Sequence, residues 1–209
     1  MQLLNKNAIK NTFFHTWYLY PISIVIITLL WIWGFGAFHQ PTNHQRITIF
    51  LSCDVKDESF LYDIMNENYE KENLREIVPS YALPDSVGFL SKLQLAMSNA
   101  DMMIIDENTL KGFANSYQSY LVELNDYILN NYLKGTYHYY DFVDKHYGIR
   151  IKEAGVDNYF NNYLTYKEEQ DYYLVLMTGS VNLGAYEDEN NAYYDNALTY
   201  ASYLLELNA

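Results

Sequence analysis

The sequence predicts an α/β domain with a parallel-type sheet and helices on both faces, preceded by one N-terminal transmembrane helix. Three observations lead to this prediction. Residues 17–38 form an apolar run with no charged side chain. From residue 46 to residue 115, short apolar runs alternate with segments of helical periodicity, which is typical of βαβ units. The chain has a single cysteine, so it has no internal disulfide and its domain needs a real hydrophobic core.

The apolar run is long enough to cross a bilayer. Its 22 residues would span about 33 Å as a helix, and a hydrocarbon core is about 30 Å thick. Aromatic residues lie at both ends of the run, as in interfacial belts. Lys6 and Lys10 precede it, and no Asp or Glu occurs before residue 54. The positive-inside rule therefore predicts a cytoplasmic tail at residues 1–16, a span at residues 17–38 and an extracytoplasmic remainder in the cell membrane.

A cleaved signal peptide is the alternative interpretation. Gly34 and Gly36 could belong to a small-residue cleavage site, but the apolar region of a signal peptide is normally about 7–15 residues long. The length favours an uncleaved anchor. In both cases a polar linker, residues 39–45, leads to an extracytoplasmic domain, residues 46–209. Cys53 lies well beyond the apolar run, so we expect a small buried residue there and not a lipid-attachment site.

The extracytoplasmic part is strongly acidic. After residue 38 the chain has 11 of its 13 Lys and Arg residues and all 26 of its Asp and Glu residues, a formal charge of −15. This charge argues against nucleic acid and anionic membrane surfaces as partners. The 23 tyrosines either form a sugar-stacking surface or fill a partly buried core, and the sequence leaves both interpretations open.

The first half of the domain has the pattern β-α-β-α-β. Residues 46–52 are typical of a strand buried on both faces, and residues 57–72 carry a helical apolar stripe. Residues 76–83 form a weaker strand, and Pro79 predicts an edge position because proline cannot donate a ladder hydrogen bond. A doubly wound sheet of strand order 2-1-3 also places its second strand outermost. The later elements are a helix after Pro84, a strand at 101–106 and a helix at 107–115.

The second half of the domain is less regular. Residues 172–178 predict a strand, and a last helix is expected from Asn190 or Asn191 to about Leu207. The weaker predictions are a helix in the second half of residues 120–133, a strand at 148–153 and helical turns at 157–164. Residues 120–172 form either a reduced second lobe or a covering for the first.

Three stretches resemble the extracellular solute-binding proteins of ABC importers, which are two-lobed proteins that bind sugars and related solutes. The stretches are ITIFLSCDVKDESFLYDIMNENYEKE, the run from Ala100 to Ile128, and YYLVLMTGSVNLG with the helix after it. The span between Ile128 and Tyr172 is too short for a full second lobe, so the chain resembles one lobe held at the membrane. The resemblance implies binding of a carbohydrate or another small solute for an importer.

Open α/β sheets bind ligands beyond the carboxyl ends of their strands. The predicted ligand-binding residues at those ends are Asp54, Tyr81, Asp106, Glu107, Ser180 and Asn182. Carboxylates and amides there could hold sugar hydroxyls or an amine. The local alternative is that Asp57 and Asp106 cap the helices that follow them, because Asp is favoured at N-caps.

The sequence carries no catalytic, cofactor or metal signature. His138 and His146 do not have a zinc-protease spacing, and neither a G-x-S-x-G motif nor a phosphate-cradling glycine loop occurs. The acidic run at residues 187–190 lacks the alternating ligands and the turn glycine of a calcium loop. We therefore expect no enzyme activity, no metal and no cofactor.

Two functions compete at this point. The domain either binds a small solute such as a sugar, or it acts as a protein-interaction module of the cell envelope beside an integral-membrane transporter or sensor. A concave polar pocket at the strand ends would favour solute binding. A large exposed apolar patch would favour interaction.

Overall fold

The computed structural model describes residues 16–67, 74–167, 169–183 and 195–207, and the chain divides into two compact units, residues 1–40 and 41–209. The first unit contains helix α1, Leu19–His39. Over Leu19–Ala37 the mean hydropathy is 1.9, and no part of that stretch is buried. A helix that is apolar all round and exposed suits a membrane interior. It is long and apolar enough to span a membrane, while the predicted tail lies almost wholly outside the described residues.

The described part of the second unit contains eight strands and five helices. The strands are β1 (Arg46–Leu51), β2 (Asp54–Val55), β3 (Glu76–Tyr81), β4 (Met102–Asp106), β5 (Tyr139–Phe142), β6 (Lys145–Lys152), β7 (Leu164–Thr165) and β8 (Tyr172–Leu176). The helices are α2 (Ser59–Glu67), α3 (Phe89–Asn99), α4 (Glu107–Tyr117), α5 (Asp126–Asn131) and α6 (Asn196–Glu206).

Six strands form one mixed sheet in the order β3-β1-β4-β8-β6-β5, and β2 pairs with β7 separately. β3 and β4 are both parallel to β1, whereas β8, β6 and β5 join by antiparallel pairing. The α/β class, the 2-1-3 order of the first three strands and the edge position of β3 are confirmed. The expectation of a parallel-type sheet is correct for one half only, because the short connection between β5 and β6 permits a hairpin and no crossover.

The sheet is covered by helices on both faces, as predicted. Ile47, Ile49 and Leu51 of β1 face the core shared with α2, α5 and α6, while Phe50 faces the core shared with α3 and α4. This alternation follows from the pleat of a strand, whose side chains point to opposite faces in turn. The chain therefore passes over one face of the sheet through α2 and over the other face through α3. Two right-handed crossovers that run in opposite directions across a sheet place their helices on opposite faces in this way.

Residues 120–172 extend the same sheet and belong to the same compact unit as the first half. β5 and β6 form a hairpin that turns at Val143 and Asp144, whose φ angles are 52° and 59°. Positive φ at both central residues is the signature of a type I′ turn. The predicted extension of α2 to residue 72 and the predicted start of the last helix at Asn190 or Asn191 lie outside the described residues.

Close packing at Gly148 of β6 gives a test of the antiparallel half of the sheet. A Cβ on Gly148 would lie 3.1 Å from Val175 Cγ1 and 3.4 Å from the Cβ atoms of Tyr140 and Tyr173. We expect Gly148→Ala to lower the free energy of unfolding by about 1–3 kcal/mol, measured by urea denaturation of the purified protein, because overpacking displaces these neighbours.

Gly112 of α4 provides the matched control for this substitution. A Cβ there would meet nothing within 4 Å. Gly112→Ala should therefore raise the free energy of unfolding by up to about 1 kcal/mol, because alanine is the better helix former. Equal effects of the two substitutions would contradict the packing at Gly148.

Candidate functional site

Two cavities of similar size lie at opposite ends of the sheet in the described part of the domain. The carboxyl-end pocket, about 360 Å³, is lined by Lys56, Lys152, Gly155, Asp157, Asn161, Leu164, Thr165 and Tyr166. The amino-end pocket, about 380 Å³, is lined by Asn43, Arg46, Thr48, Ser98, Asn99, Asp101, Gly179, Ser180, Val181 and Asn182. Both volumes fall in the range of small-molecule sites.

The carboxyl-end pocket is formed where residues 153–171, which connect β6 to β8, lie over the end of β1. β2, just beyond β1, pairs with β7 of this connection, with Asp54 opposite Thr165. The Lys56 amide donates to the carbonyl oxygen of Tyr163 at 2.8 Å. After β1 and β4 the chain turns to opposite faces of the sheet, which defines the topological switch point where open α/β sheets bind ligands. The pocket lies at this same end of the sheet.

Lys152 is the buried charged residue of the carboxyl-end pocket. It ends β6 directly after a bulge, where the register against β8 shifts between Arg150 and Lys152. The side chain is 5% exposed, and its ammonium group donates to the carbonyl oxygens of Glu153, at 2.9 Å, and of Val156. A bulge can re-aim a side chain, and here it precedes the lysine that lines the pocket.

Other lining groups provide hydrogen-bonding capacity. The Tyr166 hydroxyl oxygen and Asn161 Oδ1 are buried and have no hydrogen-bond partner within the described part of the chain. Burial, with smaller contributions from Cys53 and Tyr172, raises the pKa of the Tyr166 hydroxyl well above its ordinary value, so this group keeps its proton at neutral pH. The arrangement can therefore both donate and accept hydrogen bonds inside a cavity that contains a buried cation.

The predicted ligand-binding residues at the ends of β1, β3 and β4 do not line the carboxyl-end pocket. Asp106 is buried and caps α4, because its carboxylate accepts from the Thr109 amide at 3.0 Å and from the Thr109 hydroxyl at 2.6 Å. Glu107 forms an ion pair with Lys111 at 2.6 Å. Asp54 and Tyr81 are exposed and line neither pocket. The capping alternative is confirmed for Asp106.

Asp57 makes the corresponding local contacts at the start of α2. Its carboxylate accepts from the Ser59 amide and from the Ser59 hydroxyl, each at 2.9 Å. These bonds satisfy a donor at the beginning of a helix, where the first amides have no partner within the helix.

Ser180 and Asn182 lie at the opposite end of the sheet from Asp54 and Asp106. The predicted site with all of these residues at one edge would require β8 to run parallel to β4. Because β8 is antiparallel to β4, the residues after it reach the amino ends of β1 and β4. Ser180 and Asn182 line the amino-end pocket, so the predicted pocket that combined both groups does not form.

A buried network holds the amino-end pocket together. Asp101 accepts hydrogen bonds from the Thr48 amide at 2.7 Å, from the Ser180 hydroxyl and from Asn182 Nδ2 at 3.0 Å. Asn182 Nδ2 also donates to the Arg46 carbonyl oxygen at 2.8 Å. Asn182 Oδ1 has no partner. These bonds tie the residues after β8 to the starts of β1 and β4, which is a structural role.

The lining of the carboxyl-end pocket was not predicted from the sequence. Lys152 offered no distinctive signal, because the predicted strand at residues 148–153 also contains Arg150 and Glu153. Asn161 and Tyr166 gave no signal, because their burial depends on how residues 153–171 fold over β1.

Among the described residues, no three or more His, Cys, Asp or Glu side chains come together to form a metal site. The acidic run at residues 187–190 lies outside the described residues. Comparison with known proteins provides no relative: no family model matches the chain, no curated protein matches it, and no solved structure matches it.

The Asp101 network generates a prediction about stability and pH. Burial raises the pKa of the Asp101 carboxyl above its ordinary value, although the hydrogen bonds from Ser180, Thr48 and Asn182 oppose this effect. A raised pKa in the folded state means that the contribution of Asp101 is fully present below the pKa of the unfolded chain and is lost as the pH rises through the folded pKa. We expect Asp101→Asn to destabilise the fold by about 1–3 kcal/mol at pH 4, because the Thr48 amide loses its acceptor. The deficit should shrink towards pH 8.

The measurement is urea denaturation of both proteins across that pH range. Asp85→Asn serves as the matched control, since Asp85 is 79% exposed in its pair with Lys167 and should change the free energy of unfolding by no more than about 0.5 kcal/mol. A deficit of Asp101→Asn that grows with rising pH would contradict the raised pKa.

Proposed function

We propose that this chain is a membrane-anchored extracytoplasmic protein whose α/β domain binds a small polar solute in the carboxyl-end pocket. The observation that carries the proposal is the position of that pocket at the carboxyl end of the sheet, together with buried polar atoms of Asn161 and Tyr166 that have no hydrogen-bond partner among the described residues. Buried polar groups are nearly always hydrogen-bonded, so two such atoms lining one cavity suit a ligand that supplies partners.

The anchor and the orientation belong to the same proposal. Helix α1 would hold the domain at the cell membrane, with the N-terminus in the cytoplasm because Lys6 and Lys10 precede the span. The resemblance to solute-binding proteins of ABC importers supports the same class of function, with a carbohydrate or another small solute as ligand and an integral-membrane transporter as partner.

An interaction module is the second candidate, and one observation favours it. Tyr81, Leu83, Val87 and Leu90 are exposed large apolar residues at the end of β3, in the loop after it and at the start of α3. Exposed apolar patches mark interaction surfaces when they are large and continuous. The solute-binding proposal ranks first because the carboxyl-end pocket contains buried polar groups without partners, whereas these apolar residues require no ligand.

Solute binding is tested by a thermal-shift screen of the full chain in detergent against sugars, sugar acids, sugar phosphates, amino acids and short peptides. A ligand that binds only the folded state adds about 2.7 kcal/mol of stability at 100 times its dissociation constant. We expect one compound class to raise the melting temperature, and Asn161→Ala to abolish that rise.

Asn131→Ala is the matched control for this screen, because Asn131 is exposed on α5, lies outside the carboxyl-end pocket and donates to the Tyr127 carbonyl oxygen on its own helix. It should leave the ligand-induced rise unchanged. If no compound shifts the melting temperature of the well-folded wild type, solute binding loses its support and the interaction module becomes the leading candidate.

The orientation is tested by labelling with a membrane-impermeant maleimide. Cys53 is 1% exposed, and burial, with Asp54 contributing less, raises the pKa of its thiol to about 12, so the native cysteine should stay unlabelled. Ser91 is exposed on α3. Ser91→Cys should therefore be labelled on intact cells if the domain is extracytoplasmic. Labelling that requires cell lysis would overturn the proposed orientation.

A further inference from the structure

We propose that the carboxyl-end pocket recognises an oxyanion, a carboxylate or phosphate group, on a small hydroxyl-bearing solute, and that Lys152 is the residue that binds it. This inference rests on the proposed function, because it names the chemical class of the solute that the pocket would hold.

The partners of Lys152 are all neutral. Its ammonium group donates to the carbonyl oxygens of Glu153 and Val156 and lies 6.0 Å from the centre of the Tyr166 ring. Within the part of the chain that the structure describes, no carboxylate forms an ion pair with it. An ammonium group has three N–H donors, and two carbonyl oxygens leave one donor for a ligand. A buried charge without a counter-charge is costly, so an oxyanion in the pocket would offset that cost.

The charge of the pocket is opposite to that of the domain around it. Lys56 and Lys152 contribute two positive charges to the lining, and Asp157 contributes one negative charge. Asn161 Nδ2 donates to the Asp157 carboxylate, and the Lys56 ammonium group donates to the Asn161 carbonyl oxygen at 2.9 Å. Among the ion pairs of the described residues, none joins Asp157 to Lys56 or Lys152. The lining is therefore net positive in an extracytoplasmic part of formal charge −15. A concave cationic site raises the local concentration of anions.

The neutral lining groups define the rest of the ligand. Among the residues that the structure describes, none donates to Asn161 Oδ1 and none accepts the proton of the Tyr166 hydroxyl. A solute hydroxyl can donate to the first and accept from the second. Lys152 and these two groups together fit a sugar acid, a sugar phosphate or a hydroxy acid better than they fit a neutral sugar or an amine.

The test is calorimetric titration of the full chain in detergent with glucose 6-phosphate, glucuronate and glucose, in wild type, Lys152→Met, Lys56→Met and Lys134→Met. We expect at least one of the two charged probes to bind more tightly than glucose. Lys152→Met should weaken its binding by about tenfold to a hundredfold, the range expected for a hydrogen bond to a charged group. Lys134 is exposed and lies outside the pocket, so Lys134→Met should leave the affinity unchanged.

Effects of the substitutions on folding are measured separately from their effects on binding, using the same variants. Lys152→Met removes a buried charge that has no counter-charge, but it also leaves the carbonyl oxygens of Glu153 and Val156 without this donor. Its melting temperature without ligand is therefore measured first, and the titration is run at a temperature at which the variant is fully folded. Lys56 is exposed, and Lys56→Met should weaken charged probes without any effect on folding.

The outcomes separate this inference from the proposed function. If glucose binds as tightly as the charged probes, and Lys152→Met and Lys56→Met do not change that affinity, the oxyanion inference is overturned and solute binding stands. If no probe binds at millimolar concentration, the oxyanion inference is overturned, and a shift by another compound class in the thermal screen would still support solute binding.

Discussion

Antiparallel pairing between β4 and β8 determines which groups lie at each end of the sheet. Asp106 is opposite Tyr172 and Met102 is opposite Leu176, so the chain enters β8 at the carboxyl end of β4 and leaves it at the amino end. Residues 153–171 therefore lie over the ends of β1 and β4 and supply most of the carboxyl-end pocket. The residues after β8 meet the opposite end. A parallel β8 would exchange these two connections, and neither cavity would have its present lining.

The two ends differ in how their buried charged groups are satisfied. At the amino end, Asp101 accepts hydrogen bonds from a backbone amide, a hydroxyl and a side-chain amide, and these bonds fix the residues after β8 to β1. At the carboxyl end, the Lys152 ammonium group has carbonyl oxygens as its hydrogen-bond partners. Both carboxylate oxygens of Asp101 accept from local donors. The Lys152 ammonium group has three N–H donors and two carbonyl acceptors, so it keeps one donor for a ligand.

The sequence predicted the elements whose signal is local. β1 and β4 are short apolar runs buried on both faces, and Pro79 alone was enough to place β3 at an edge. The hairpin at Val143 and Asp144 was missed because type I′ turns usually carry Asn or Gly, and neither residue is present. The direction of β8 was also missed. Strand direction depends on the length and path of the preceding connection, which no residue within β8 encodes.

A pocket assembled within one compact unit bears on the proposed resemblance to a single lobe of a solute-binding protein. In two-lobed solute-binding proteins the ligand is enclosed between lobes, so a single lobe would leave its strand ends open to solvent. Here residues 153–171 occupy that position, tied to the end of β1 by the β2–β7 pairing and by the bonds from the Lys56 and Asp57 amides to Tyr163. Lys152 is removed from water by the chain itself, so its charge is already desolvated before any ligand arrives. Binding under the proposed function therefore requires neither a second lobe nor closure of one lobe on another.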